Sequence, residues 1–436
     1  MKRILRLLAV VCIIASQGQG LFAQNDSSEY DVRPFQMTFM FPPFSTNGID
    51  NVNYINNFSL NTFIGVSGGV DGAELGGFIN IDRYYVNGLQ AAGFGNTVGG
   101  DMEGVQLAGF YNVAGGNGRY VQGAGFVNTV GRNYFGLQGA GFMNIVGGNL
   151  DGFEGAGFCN VVGKNVTGVQ GAGFMNLAGD TLVGLQGAGF LNVARGVEYG
   201  AQAAGFGNIS GSGKVNVQAS GFFNIADEVS GIQAAGFFNR AGYVKGLQAA
   251  GFLNVCDSID GIPVAFISIV KHNGYRRLEV SGSETEYVSL AFKMGVEKFY
   301  TIYKFGKPLG PGSRWFYGVG AGTQFDLAGN SFMNVELTSS QEIWLGDSRS
   351  PRFFHQSRYN SYNQLAVSYG RSLGGIVEFF VGPTLNVSIA HAEPVLDTFI
   401  PWKPIAPGWA FLDRTYNTYN QTNVAIWIGV KGGLRF

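Results

Sequence analysis

The chain has 436 residues, with 28 lysines and arginines against 29 aspartates and glutamates and a formal net charge of −1. That balance excludes the concentrated basic footprint of a nucleic-acid-binding protein. Seventy glycines, 37 phenylalanines and 19 tyrosines, with only 13 % charged residues, point to an all-β protein with tight turns rather than a helical one.

Residues 1–23 read as a secretory signal peptide. Lys2, Arg3 and Arg6 precede an apolar run from Leu7 to Ala15, and Leu21, Phe22 and Ala23 offer a cleavage site. Bulky Val10 and Val11 before Cys12 argue against a lipoprotein site. The run is shorter than the ~20 apolar residues of a membrane helix, and no other segment reaches that length. Any span in the exported chain therefore has to be a β-barrel. Cleavage leaves Cys159 and Cys256, too few for a disulfide framework. Residues 24–71 hold one or more strands. In 33–41, Phe35, Met37, Phe39 and Phe41 alternate with Gln36, Thr38 and Met40. This matches the alternation of the last strand, so the two chain ends are expected to pair and close a barrel.

Residues 72–270 repeat. Glutamine falls at 90, 106, 122 and 138, then at 170, 186, 202 and 218, with Glu154 in the gap, a period of 16. Gln233 and Gln248 follow at a step of 15, and Glu74 extends the series backward. Phe stands four residues after each, from Phe78 to Phe252, preceded by Gly and followed two residues later by Asn. Two architectures fit: one coil of a parallel β-solenoid per unit, or one strand per unit in a single large antiparallel outer-membrane barrel. Antiparallel strands meet different turns above and below and predict a 32-residue alternation. The sequence has none, which favours a solenoid of about twelve coils. Stacked coils predict ladders of Phe, Gln and Asn, and a Gly wherever a Cβ would collide with the neighbouring coil. Leu137, Val169 and Leu185 beside the Gln, with Ile145 and Val161 after the Asn, are expected to supply buried apolar surface. Cys159 and Cys256 lie six coils apart, too far to bridge.

Residues 271–436 carry a different pattern. In the last strand Val424, Ile426, Ile428, Val430, Leu434 and Phe436 alternate with Asn423, Ala425, Trp427, Gly429, Lys431, Gly433 and Arg435. Apolar-out, mixed-in alternation of that length is what a membrane-spanning strand requires. Leu365, Val367 and Tyr369 alternate likewise with Gln364, Ala366 and Ser368. Eight to ten strands are expected, forming an antiparallel outer-membrane-type barrel with long loops at 346–361 and 391–420. Trp402 and Trp409 lie in the second loop and are expected to face outward. A soluble β-sandwich is the alternative.

The chain ends on Phe436, and a terminal strand closing on an aromatic residue resembles the targeting signal of bacterial outer-membrane barrels. The G-x-Q-x-x-G-F-x-N unit over 72 to about 270 resembles the bacterial surface repeat-containing proteins, exported chains with tandem Gly-x-Gln…Gly-x-x-Asn units. Phe at the stacked position departs from that pattern. The resemblance implies an envelope location and no defined activity.

Nothing assembles a reaction centre. His272, His355 and His391 are scattered, without metal-ligand spacing. No G-x-S-x-G elbow occurs, and Asp101, Asp151, Asp180, Asp227 and Glu228 do not recur at one coil position. Turns favour Asp for backbone reasons. The sequence thus assigns no catalytic, cofactor-binding or metal residue. It points to a non-enzymatic outer-membrane or cell-surface protein acting as scaffold or binding surface, with a channel or transport protein as the alternative. The partners expected are outer-membrane lipid, surface glycans or other envelope proteins, and no nucleic acid.

Overall fold

The protein is described here from a computed structural model covering residues 30–41, 43–308, 314–344, 358–374, 376–392, 405–416 and 421–436. The signal-peptide expectation for 1–23 falls outside these residues. The chain is all-β: a parallel β-solenoid of about 14 turns and a closed eight-stranded antiparallel barrel. It divides into two compact units, Met1–Gly236 and Phe237–Phe436.

In most coils of the first unit there are two strands, such as Tyr134–Ala140 and Met143–Val146; in Met175–Ala188, Leu191–Ala204 and Gly207–Ser220 the second strand of one coil runs on into the first of the next. A Gly–Phe corner joins the two strands of a coil, and a glycine- and asparagine-rich corner leads to the next coil. The register is the repeat itself: Gln122 lies on Gln138, and Asn128 on Asn144. Where the period shortens to 15, Gln218 still lies on Gln233: the pairing offset falls from 16 at Ile209–Ile225 to 14 at Lys214–Glu228, and a register shift between Val215 and Val217 returns it to 15. The corner glycine is required by close approach. A Cβ on Gly141 would sit 2.0 Å from the carbonyl oxygen of Gly125, and one on Gly157 equally close to that of Gly141.

The solenoid begins earlier than the repeat suggests. Val32–Thr38 pairs in parallel with Ile55–Asn61, with Gln36 on Ser59, and Ser59 in turn lies on Glu74. The expectation that 33–41 closes the barrel is therefore corrected: this segment is a coil strand whose Gln36 occupies the glutamine column. Its alternation has the same cause as the barrel's, a polar interior behind an apolar exterior.

In the second unit, Phe238–Ala250 pairs with Leu253–Val264, which pairs with Ile267–Val270. The barrel strands follow: β1 Tyr275–Ser283, β2 Glu286–Val296, β3 Phe299–Pro308, β4 Arg314–Leu327, β5 Ser331–Trp344, β6 Arg358–Ser372, β7 Glu378–Ala392, β8 Leu412–Tyr416 and β9 Gln421–Arg435. Sequential strands pair antiparallel from β1 to β7, β7 pairs with β9, and β9 closes on β1 from Glu279–Arg435 to Ser283–Lys431. The remaining edge of β9 is partly covered by β8, which pairs with it over Thr422–Ile426. Connections 297–298, 328–330 and 373–377 are short and sit at the end that also holds Tyr275 and Phe436. The opposite strand ends hold the two-residue β1–β2 turn, 284–285, and lead into 309–313, 345–357 and 393–411.

Candidate functional site: the solenoid edges and the barrel lumen

Along a strand, neighbours of an inward side chain must point outward. The inward residues of a coil include the ladder Gln and Asn, which are 0–2 % exposed throughout. Leu137 and Leu185, expected to be buried, consequently face out and are 56 % and 51 % exposed. The core holds amides on the side of the Phe corner and apolar residues such as Val146, Leu150, Val162 and Val166 on the other.

The amides satisfy one another. Each ladder Asn donates twice: Asn144 Nδ2 reaches Asn160 Oδ1 at 2.9 Å and the carbonyl oxygen of Gly155 at 2.9 Å. The Gln column runs with the opposite polarity, Gln122 Nε2 donating to Gln106 Oε1 at 2.7 Å. Glu154 interrupts it. Gln170 Nε2 donates to Glu154 Oε2 at 2.9 Å, but Gln138 Oε1 and Glu154 Oε1 are buried without a hydrogen-bond partner. Burial pushes the Glu154 carboxyl up to about 8, against the lowering effect of the Gln170 bond. Asp82, in contact with Ser67 and Gln90, is also raised, first by burial and then by the charge of Glu74.

Outside the amide half lies the Phe corner. From Phe94 to Phe222 successive rings stack with centroids 4.7–5.1 Å apart and nearly parallel planes. Phe126, Phe158 and Phe174 are each 38–40 % exposed. Beside this corner, Leu60, Leu75, Ala91, Leu107, Gly123 and Ala124 line a shallow groove of about 710 Å³. Twelve segments run from the residue before the ladder Gln or Glu to the residue after the ladder Asn, 73–81 to 247–255, and they contain three charged residues, Glu74, Glu154 and Arg240. The first two are buried in the core, so Arg240 is the single exposed charge on this edge. The opposite corner is polar and exposed, carrying Asp101, Arg132, Asp151, Lys164, Asp180 and Arg195.

The sequence-singled acids all lie away from the Phe edge. Asp101 Oδ1 accepts from the backbone N–H of Asn117 at 2.7 Å, Asp180 pairs with Arg195 at 3.4 Å, and Glu228 with Lys214 at 3.0 Å. Among the described residues no three His, Cys, Asp or Glu side chains are grouped to hold a metal. His272 is exposed, His355 lies outside the described residues, and His391 is placed only as a backbone position in β7. Cys159 and Cys256 are free and buried. Burial, with the nearby Glu154 charge, pushes the Cys159 thiol up to about 11, and burial with Asp257 pushes Cys256 up to about 12.

The barrel reverses inside and outside relative to a soluble core. Leu278, Val280, Leu290, Phe292, Leu365, Val367, Ile428, Val430 and Leu434 face out and are 39–64 % exposed. The lumen holds charge, which the sequence did not single out. Lys293 Nζ bonds both Glu279 and Glu336, and Lys431 Nζ lies 2.7 Å from Glu279 and 3.7 Å from Glu336. Lys304 pairs with Glu286 at 2.6 Å and Arg435 with Glu378 at 3.2 Å. These four cations thus face four carboxylates, and Arg314 pairs with Glu342 nearer the opposite end. Toward the other end Phe316, Tyr362 and Trp427 fill the lumen, all fully buried. Glu284, in the β1–β2 turn, accepts from Trp427 Nε1 at 2.9 Å, Asn386 Nδ2 at 3.0 Å and the backbone N–H of Val430 at 2.9 Å. It thereby occupies the β9 edge just beyond the last β1 pairing. These partners are up to 146 residues apart, and only the inward alternation marks them in the sequence.

Comparison with family models, with curated proteins and with solved structures returned no match to this chain.

Proposed function

We propose that the protein is an exported, non-enzymatic outer-membrane protein in which the barrel spans the bilayer and the solenoid acts as a scaffold or binding surface at the envelope. One observation carries this: the outward positions midway along the barrel strands are predominantly apolar, among them Leu290, Phe292, Val319, Leu337, Leu365, Val367, Ile428 and Val430, around a lumen of paired charges. In water that arrangement exposes hydrophobic surface and buries ions, both unfavourable. In lipid it is the ordinary solution, with strands of 9–15 residues long enough to cross. The connections at one end are all short, as in outer-membrane barrels, and the signal peptide expected over 1–23 would agree with export. The resemblance to bacterial surface repeat-containing proteins rests on the repeat unit alone.

A conducting pore is the weaker reading, because Lys293, Glu279, Glu336 and Lys431 pair across the lumen while Phe316, Tyr362 and Trp427 fill it. Reconstitution into planar bilayers tests the choice. The scaffold reading expects no stable single-channel steps; steps that change ion selectivity in Lys293→Gln would favour transport.

A further inference from the structure

The Phe edge raises a question that the barrel answers. A stripe of half-exposed, stacked rings, bounded by small and aliphatic residues and almost free of charge, is the kind of contiguous apolar surface that marks an interaction or membrane site. It lacks the polar partners that sugars or peptides need for orientation. In the second unit the stripe does not end in solvent. Phe237 stacks on Phe252 at 5.0 Å and Phe252 on Phe266 at 6.0 Å, and Phe266 meets Tyr303 of β3 edge-on at 5.2 Å. Tyr303 points out of the barrel, next to exposed Phe292 and Phe305. Thr301 Oγ1, on the same outward face, donates to the carbonyl oxygen of Ala265 at 3.1 Å. The phenylalanine ladder therefore runs onto the apolar outer face of the barrel, near its short-turn end, where Lys298 pairs with Asp260 at 3.0 Å.

We infer that the Phe edge of the second unit's coils, Phe237, Phe252 and Phe266, is a lipid-contacting surface continuous with the barrel's outer face near its short turns, while the corner carrying Asp257 and Lys271 stays in water. What covers the barrel's outer face must also cover the rings continuous with it, and the inference rests on the proposal that this cover is lipid. The edge in the first unit has the same composition, with only apolar, small and amide residues in 73–81 through 217–225 apart from buried Glu74 and Glu154. An edge-on apolar surface of this kind binds by buried area, as interfacial amphipathic elements do. The buried amide ladders behind it explain why such a surface is tolerated: the coil is held by hydrogen bonds that lipid cannot compete for.

Site-directed spin labelling of the full chain tests this. In a Cys159→Ala/Cys256→Ala background, single cysteines are placed at Phe237 or Phe252 on the edge, at His272 on the polar corner, and at Leu337 on the barrel's outer face. The protein is reconstituted into phosphatidylcholine–phosphatidylglycerol vesicles, and collision with oxygen is compared with collision with a water-soluble nickel chelate. The inference expects edge labels to match Leu337, with an oxygen-to-nickel ratio severalfold above that at His272. Edge labels as water-accessible as His272, with Leu337 still in lipid, overturn it while leaving the barrel proposal standing. A water-accessible Leu337 in correctly folded protein sinks the barrel proposal itself. Edge protection that vanishes on dilution and is accompanied by spin–spin broadening assigns the edge to a second copy of the chain and also overturns the inference.

Discussion

Gln138 and Glu154 lie on one another across a single coil step, and the Oε1 atom of each is buried without a hydrogen-bond partner. A carboxylate has no hydrogen to give the amide oxygen above it, whereas a protonated carboxyl has one. The raised Glu154 pKa, about 8, therefore has a structural counterpart in the column. A carboxyl that holds its proton more tightly folded than unfolded adds stability at low pH. That stability is full below the usual ~4.3 of a free glutamate, declines as pH rises toward about 8, and levels off above it. Glu154→Gln restores the donor, so it should raise stability by roughly 2–4 kcal/mol at pH 8 and above and flatten the slope. Thermal melts of the two proteins between pH 4 and 9 check this; parallel curves would contradict it.

The asparagine columns on the two corners should differ in worth. Asn160 donates to Asn176 Oδ1 at 2.9 Å and to the Gly171 carbonyl at 2.8 Å, fully buried. Asn149 accepts from Asn165 at 3.0 Å in an exposed turn. Asn160→Ala strands several buried groups and should cost about 2–4 kcal/mol, against less than about 0.5 kcal/mol for Asn149→Ala. Denaturant titration by circular dichroism measures both.

Glycine positions two residues apart separate close approach from mere flexibility. Gly141→Ala puts a methyl 2.0 Å from the Gly125 carbonyl oxygen, a contact with backbone that cannot rotate away, while at Gly139 a Cβ meets nothing within 4 Å. The first substitution should disrupt the coil, with a loss above about 4 kcal/mol. The second should be neutral or stabilising by up to about 1 kcal/mol. Equal melting temperatures for the two variants would contradict the stacking geometry.

In the barrel, Lys293→Met leaves Glu279 and Glu336 with Lys431 as their remaining cation. Breaking a buried ionic cluster from one side should cost about 3–5 kcal/mol, read as a lower temperature for conversion of the folded form on a semi-native gel. Adding Glu336→Gln should recover part of the loss, because the uncompensated charge is removed.

The solenoid was legible because stacked coils place identical demands on identical positions, so the period of 16 and the Phe, Gly, Gln and Asn columns appear directly in the sequence. The strand carrying Val424 to Phe436 was legible for a similar reason, with alternation written over its full length. The N-terminal strand was misassigned because alternation alone does not distinguish a solenoid coil from a barrel strand when both have polar interiors. Ser59 replaces Gln in the column, and the step from Gln36 to Ser59 is longer than a coil, which hides the register. The exposure of Leu137 and Leu185 follows from the alternation around an inward Gln, which outweighs the general tendency of leucine to be buried. The lumen pairs Lys293–Glu336 and Arg435–Glu378 join strands far apart in the chain, and a single sequence carries no signal for which inward charges meet.

The most direct test of the central claim, a membrane-spanning barrel with a filled lumen, is the mobility of the protein from isolated membranes on gels run with and without heating, after carbonate washing. The account predicts that the protein resists carbonate and shows a folded species whose mobility shifts on heating. Release by carbonate, with a single band unaffected by heating, would contradict it.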